Sequence, residues 1–112
     1  MVEKTLTIDG KEVTFRASAA IPRLYRIWFK RDIFRDLNNL MKASQSKKDF
    51  EVEDLEVFEN VAYCMAKHAN PNLPPIEEWL DDFQMFSIYE ILGEILELWG
   101  SNMFSMEKSK KK

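Results

Sequence analysis

The 112-residue chain has few of the residues from which disulfides, metal centres and flexible linkers are built: one cysteine, one histidine, three glycines and four prolines. One cysteine forms no internal disulfide, so we expect a reducing, cytosolic setting. So little glycine and proline excludes a linker, a collagen and a low-complexity chain. The chain has no apolar run of the roughly 18 residues that a membrane span needs. Its first residues also lack the apolar core of a secretory signal.

What the chain has is material for one packed core, because 46% of its residues are hydrophobic and 31% are charged. This balance predicts a single soluble domain over residues 1–100, followed by a mobile basic tail over residues 101–112. The shortage of histidine and cysteine argues against an enzyme and against a bound cofactor. Composition by itself names no function.

The net charge of −3 conceals a strong asymmetry along the chain. Residues 1–48 contain 11 basic and 5 acidic side chains, a balance of +6. Residues 49–106 contain 1 basic and 13 acidic side chains, a balance of −12, and the last six residues carry +3. The two oppositely charged parts are expected to attract each other, either within one chain or between two copies. The acidic total makes free nucleic acid an unfavourable main partner and gives no indication of a membrane partner.

The N-terminal segment predicts a β-hairpin over residues 4–16. Thr5–Ile8 and Glu12–Phe15 alternate apolar and polar residues, as half-buried strands do. Asp9 and Gly10 between them tolerate the positive φ angles of a type I′ turn. The apolar face of such a hairpin must pack against helices, because two strands alone are barely stable in water.

Helices are predicted for the rest of the chain. Proline at position 22 suits a helix start, and a helical period runs on to about Ala43. The remaining predicted helices are Phe50–Ala69, Ile76–Phe83, and one that begins at a Ser87–Glu90 capping box and ends at Gly100. The expected fold is mostly α (α+β), a four-helix domain with an N-terminal β-hairpin.

The first of these helices carries two neighbouring apolar stripes, and only one of them is needed for a core. The first stripe consists of Leu24, Ile27, Trp28, Phe34, Leu37 and Met41. The second stripe consists of Tyr25, Phe29, Ile33 and Leu40. A helix that is apolar on two sides is either central in its bundle or partly committed to a partner.

Three groups of residues are candidates for metal binding, catalysis or nucleic-acid binding, but a structural role is the favoured interpretation of each. Cys64 and His68 are one helical turn apart, but a zinc site needs about four ligands. The carboxylate pairs Glu77/Asp81 and Glu78/Asp82 have no neighbouring base to complete a mechanism, so they predict a solvated or partner-facing acidic patch. Five cations interleaved with aromatic residues over residues 23–35 keep open a nucleic-acid alternative. These cations are Arg23, Arg26, Lys30, Arg31 and Arg35.

Aromatic residues and methionine are abundant: 8 Phe, 3 Tyr, 3 Trp and 6 Met. These residue types are enriched at interface cores, although they equally suit the interior of the domain. Met103, Phe104 and Met106 lie beyond the last predicted helix. They either fold back onto the domain or contact a partner.

Several of these elements, in this order, resemble the small tail assembly chaperones of long-tailed phages and prophages of Gram-positive bacteria. The resemblance covers about residues 4–99. Lys30 departs from the family pattern, which more often has glycine there. The matching elements are Pro22-x-x-Tyr25-Arg26-x-x-Phe29, Arg31-Asp32-Ile33, Asp36-Leu37, Ala62-Tyr63-x-Met65-Ala66-Lys67 and Pro75-Ile76-Glu77-Glu78-Trp79-Leu80-Asp81-x-Phe83.

The resemblance implies a non-enzymatic protein of the host cytoplasm that is absent from the mature virion. Such proteins coat the tape measure protein, keep it soluble and give way as the tail tube protein polymerises around it. Self-association into a homo-oligomer is also expected. A longer product of translational frameshifting is common in the family, and Lys110–Lys112 are compatible with a slippery coding run or simply with a charged tail. We place the client-binding surface on Tyr25, Phe29, Ile33, Trp79 and Phe83.

Overall fold

The computed structural model describes residues 2–45 and 52–98, and it begins with the predicted β-hairpin. Strands β1 (Val2–Ile8) and β2 (Lys11–Ala17) are antiparallel, with Leu6 opposite Val13. Asp9 and Gly10 both have positive φ, 55° and 78°, as a type I′ turn requires. Ile8 and Phe15 are buried on the hairpin's inner face. The hairpin prediction is therefore confirmed.

The long helix expected from Pro22 to Ala43 is instead two helices, α1 (Ile21–Phe29) and α2 (Ile33–Gln45). The break is at Lys30, whose left-handed backbone (φ 59°, ψ 38°) ends α1 while its N–H donates to the carbonyl of Arg26. Asp32 then starts α2, because its side chain accepts the N–H of Phe34 at 2.9 Å. The prediction of one continuous helix was therefore wrong. The apolar period continues on both sides of the break, so the period alone does not reveal it.

The central element is α3 (Val52–Ala69), which agrees with the predicted helix over the described residues. It packs against β2, α1 and α2. Its middle is buried almost all round, over the run from Val57 to Ala66 apart from Glu59 and Asn60. A helix buried on several sides is the core element around which the others are arranged.

The C-terminal part consists of short pieces rather than one helix. Helix α4 spans Ile76–Asp81, a 3-10 helix spans Ser87–Ile91, and residues 92–98 are helical. The predicted capping box at Ser87 is wrong, because this hydroxyl donates to the carboxylate of Asp9 in the hairpin turn. The predicted helix end at Gly100 and the tail over residues 101–112 lie outside the described residues.

The fold class is confirmed: the protein is mostly helical, α+β, with an N-terminal antiparallel hairpin. The core forms where the inner face of the hairpin meets α3 and the buried faces of α1 and α2. Phe15, Tyr25, Phe58 and Met65 are among its largest fully buried side chains. The remaining elements of the fold pack around α3 and cover its apolar sides.

Candidate functional site

The residues predicted to bind a client do not form an exposed surface. Tyr25, Ile33 and Trp79 are buried in the core, and Phe29 and Phe83 are half-buried. Trp79 contacts the rings of Tyr63 and Phe83 at centroid distances of 5.5 and 5.3 Å. The expectation that these five side chains face outward is thus wrong for three of them, because the domain needs them to close its own interior. Their part in client binding stays a prediction.

The second apolar stripe of α1 and α2, on which we placed part of the client surface, is mostly buried, and the first stripe is divided between core and surface, since its Leu37 is fully buried. Tyr25, Ile33 and Leu40 of the second stripe are buried. From the first stripe, Ile27 is 52% exposed, Trp28 36% and Phe34 55%. Large apolar side chains that stay exposed on a folded domain can mark a contact surface. We call α1, α2 and the connection between them the elbow, and Ile27, Trp28 and Phe34 its outer apolar residues.

A partly buried hydrogen-bond network sets the orientation of the elbow. The carboxylate of Asp36 in α2 accepts from the Tyr25 hydroxyl at 2.7 Å and from Arg31 at 2.7 and 2.9 Å. Burial raises the pKa of Asp36, but the hydrogen bonds from Arg31 and Tyr25 outweigh it, so the pKa lies below its usual value. Burial and this same carboxylate raise the pKa of the Tyr25 phenol. The network therefore joins a neutral phenol, a carboxylate and a guanidinium, and its three residues come from α1, the connection and α2.

Residue pattern alone does not predict this network as a unit. Tyr25, Arg31 and Asp36 all belong to the pattern that carries the resemblance, but the pattern assigns no pairing between them. An acidic residue on a helical stripe that is otherwise apolar, as Asp36 is next to Leu37, was the available signal, since buried charges are normally paired.

A groove of about 360 Å³ lies on the inner angle of the elbow, where α1 and α2 meet. The side chains of Arg26, Lys30 and Phe34 are among the exposed ones on its walls. The groove thus combines cations with an exposed aromatic ring. Its lining consists of Pro22, Arg26, Lys30, Arg31, Asp32, Ile33 and Phe34.

Trp28 lies on another side of α1 from this groove. Arg26 and Trp28 are two residues apart, which is about 200° around a helix axis. The ammonium of Lys67 in α3 lies 5.9 Å from the Trp28 ring centroid. This distance is compatible with a cation–π contact that holds the half-exposed indole in place. The elbow therefore offers two different surfaces, a cationic groove and an apolar ridge of Ile27 and Trp28.

A second exposed apolar pair stands in the loop between α4 and the 3-10 helix. Met85 is 79% exposed and Phe86 72%. Asp9 in the hairpin turn holds this loop, accepting from the Gln84 N–H at 2.7 Å and from the Ser87 hydroxyl. These two hydrogen bonds hold the pKa of Asp9 below its usual value. The acidic side chains Glu77, Glu78, Asp81 and Asp82 of the preceding segment are exposed.

Cys64 and His68 lie in different surroundings. Cys64 is fully buried, and burial raises the pKa of its thiol to about 12. The Nε2 atom of His68 is 3.0 Å from the Ser18 hydroxyl, and burial, with Arg16 nearby, lowers the pKa of its imidazole. Over residues 2–45 and 52–98, no three His, Cys, Asp or Glu side chains are grouped so as to hold a metal ion.

The cations of the elbow are mostly at the surface. Arg23, Arg26, Lys30 and Arg35 are exposed, while Arg31 is engaged by Asp36. Such a surface favours an acidic partner of some kind. In the part of the chain that the structure describes, none of the helices has both the length and the hydropathy that crossing a bilayer requires.

Comparison with protein-family models, with curated proteins and with solved structures gave no match. The function of the protein is therefore inferred from its residue pattern and from the surfaces described above.

Proposed function

We propose that this protein is a phage or prophage tail assembly chaperone that binds the tape measure protein and keeps it soluble until the tail tube protein assembles around it. The resemblance of the residue pattern supports this role. The structural observation that carries the proposal is that Ile27 and Trp28 stay exposed as an apolar ridge on α1 after the domain has closed its core. Apolar residues grouped on one surface are costly to leave in water, so they indicate a partner.

The apolar ridge of α1 suits a helical client with an exposed apolar stripe. Leu24, Ile27 and Trp28 are spaced i, i+3 and i+4, so they line one side of the helix. Two helices laid side by side bury such stripes against each other. Arg23 is also exposed on α1, and it favours carboxylates beside the client's apolar stripe.

A chaperone of this kind needs many weak contacts rather than one strong contact. A few exposed side chains bury much less than the roughly 1,600 Å² of a stable standard interface. Several copies along one long helix gain affinity by avidity, and each copy still dissociates easily. Displacement by the tube protein is then possible without an enzymatic step.

The test is solubility of the tape measure protein when it is co-expressed with this chain. The wild-type chain should move the client from the pellet to the soluble fraction. The double variant Ile27→Asp, Trp28→Asp should fold but lose this effect, because charges replace the apolar ridge. Asn38→Asp, also exposed on the elbow, is the matched control and should behave as wild type. A folded double variant that still solubilises the client, or a wild-type chain that does not, would refute the proposal.

The alternative is a small nucleic-acid-associated regulator that uses the basic residues 23–35. The observation in its favour is the exposure of Arg23, Arg26, Lys30 and Arg35. Fluorescence anisotropy with a labelled DNA or RNA duplex decides this, because phosphate binding falls steeply with salt whereas apolar client binding does not. We expect no binding at 150 mM salt. Saturable binding that is lost in Arg26→Glu would favour the regulator instead.

A further inference from the structure

We propose that the C-terminal segment of this chain, residues 99–112, docks on the loop Asp81–Phe86 of the same molecule and covers its exposed apolar pair. The contact is made within one chain and needs no client. It therefore holds or fails separately from the proposed function.

The loop presents two large apolar side chains that the described part of the domain leaves in water. Met85 is 79% exposed and Phe86 72%. The loop is nevertheless held in place from the hairpin, because Lys11 donates to the Asp82 carbonyl at 2.8 Å and Asp9 accepts two hydrogen bonds from the other end of the loop. An apolar surface that is already fixed loses little conformational freedom when a segment binds it, so this loop is a suitable docking site.

Carboxylates lie in the sequence just before this apolar pair. Four of them are exposed, and none of the four forms a salt bridge with another described residue. A segment that fits this surface therefore combines apolar side chains with several cations. The four carboxylates are those of Glu77, Glu78, Asp81 and Asp82.

The C-terminal segment has this composition. It contains four lysines, one glutamate and four large apolar side chains, and the lysines all follow the apolar residues. The order is the reverse of that in the loop, where the carboxylates precede the apolar pair. An antiparallel alignment of the segment with the loop therefore places apolar groups against apolar groups and cations against carboxylates. The apolar residues of the segment are Trp99, Met103, Phe104 and Met106, and its lysines are Lys108, Lys110, Lys111 and Lys112.

The segment starts close enough to reach the loop. The last described residues, 92–98, lie beside β1, because Lys4 forms salt bridges with Glu94 and Glu97. Lys4 is five residues along the hairpin from Asp9, which is roughly 16 Å at the rise of a strand. The 14 residues of the segment span up to about 46 Å when extended. The segment is thus long enough to pass from β1 to the loop that Asp9 holds.

The apolar ridge of the elbow fits the same segment less well. Ile27 and Trp28 lie on α1, whose charged side chains, Arg23 and Arg26, are both cations. Lysines repel such a surface, whereas the carboxylates before Met85 attract them. The charge distribution therefore selects the loop. A partner that binds Met85 and its neighbour has to displace the segment first, so the chain itself regulates access to this surface.

Paramagnetic relaxation in the 112-residue chain tests the contact. A nitroxide is attached through Ser109→Cys, and the native Cys64 does not compete for the reagent, because it is fully buried and burial raises the pKa of its thiol to about 12. The amide signals of Gln84, Met85 and Phe86 should lose about half of their intensity or more in 50 mM NaCl and regain it in 500 mM NaCl, since salt screens exposed charges.

Two matched charge reversals in the labelled chain locate the contact. Asp81→Lys together with Asp82→Lys should restore the loop signals, because the carboxylates that attract the lysines are gone. Glu53→Lys together with Glu56→Lys makes the same charge change at exposed positions near the start of α3 and should leave the loss of intensity as it is. Phe86→Ser should also restore intensity, because the segment then loses its apolar contact.

A mixture distinguishes the chain's own segment from that of a second copy. Nitroxide-labelled protein without ¹⁵N is mixed in equal amounts with ¹⁵N-labelled protein without a nitroxide, and the loop signals should then keep their intensity. The proposal is overturned if the loop keeps its intensity in the nitroxide-labelled chain at low salt, or if Phe86→Ser or the reversal at Asp81 and Asp82 leaves the loss unchanged. It is equally overturned if the mixture shows the same loss as the labelled chain, because a second copy is then the occupant.

Discussion

The hydroxyl of Tyr25 in α1 donates a 2.7 Å hydrogen bond to the carboxylate of Asp36 in α2, across the break at Lys30. Arg31 in the connection holds the same carboxylate with two further hydrogen bonds. This arrangement fixes the turn between the two helices. It therefore also decides which apolar stripe of the elbow is buried and which is left for a partner.

Removing only the phenol oxygen should weaken the elbow measurably. Tyr25→Phe keeps the buried ring but leaves Asp36 with one donor fewer, and we expect a loss of about 1–2 kcal/mol in the free energy of unfolding. Urea denaturation followed by circular dichroism measures this. Tyr89→Phe is the control, since its half-buried phenol bonds to Glu59 outside the elbow and should cost less. An unchanged stability in Tyr25→Phe would show that the phenol does not support the elbow.

Acid should loosen the same network. The folded pKa of Asp36 lies below its ordinary value of 3.8, so this carboxylate stabilises the fold fully above that value. This contribution to the free energy of unfolding is lost as the pH falls through the folded pKa, because the unfolded state binds the proton more readily than the folded state does. We expect the wild-type free energy of unfolding to decrease between pH 5 and about pH 2.5. Asp36→Asn should be less stable at pH 7 and show a shallower decrease over that range; an equally steep decrease would contradict this account.

The elements that sequence alone could predict are those that depend on near neighbours. The hairpin is one, since the turn residues Asp9 and Gly10 and the alternation around them are all local signals. Helix α3 is another, because its apolar residues continue over its whole length. The Ser87 capping box failed for a non-local reason: the partner of this hydroxyl is 78 residues away in the hairpin turn.

The candidate site was harder to predict because both sides of the elbow are apolar. Periodicity identifies two stripes but contains no information on which of them meets α3. That choice depends on the network of Tyr25, Arg31 and Asp36, which forms only when the chain turns at Lys30. The residue at this left-handed helix end is Lys30, whereas glycine is the residue that usually marks such an end in a sequence.

The burial of the second stripe can be tested with one substitution in each stripe. Ile33→Asp places an unpaired charge in the core, and we expect it to cost at least about 3 kcal/mol or to prevent folding. Ile27→Asp introduces the same side chain at an exposed position and should change stability by no more than about 0.5 kcal/mol. Thermal unfolding monitored by circular dichroism compares the two. Equal costs would mean that the burial assigned to these positions is incorrect.

Glycine at position 30 should stabilise the protein. The backbone of Lys30 has φ 59°, a conformation that is unfavourable for side chains with a Cβ atom. Lys30→Gly removes this strain, and after allowing for the greater freedom of the unfolded chain we expect a gain of about 0.5–1 kcal/mol. Lys42→Gly, the same change within α2, should instead destabilise by roughly that amount. Chemical denaturation of both variants checks the opposite signs, and a loss in Lys30→Gly would contradict the strain.

Substitutions at Asp9 should release the loop that carries Met85 and Phe86. Asp9→Gly keeps a turn that tolerates positive φ but removes both hydrogen bonds to the loop. Asp9→Asn keeps a carbonyl that can accept from the Ser87 hydroxyl. Its loop should therefore be held less firmly than in the wild type and more firmly than in Asp9→Gly. Amide hydrogen exchange is the measurement: Gln84 should exchange about tenfold faster or more in Asp9→Gly, because its N–H loses its acceptor.

Exchange in the strands serves as the control for this effect. Amides of the hairpin pairs, such as Leu6 opposite Val13, should keep their wild-type rates in both Asp9 variants. If these amides exchange as much faster as Gln84 does, the substitution has disrupted the turn as well as the loop. The Asp9→Asn variant, which keeps the turn chemistry closest to the original, then shows whether Asp9 holds the loop. If Gln84 is protected equally in all three proteins, Asp9 does not hold the loop.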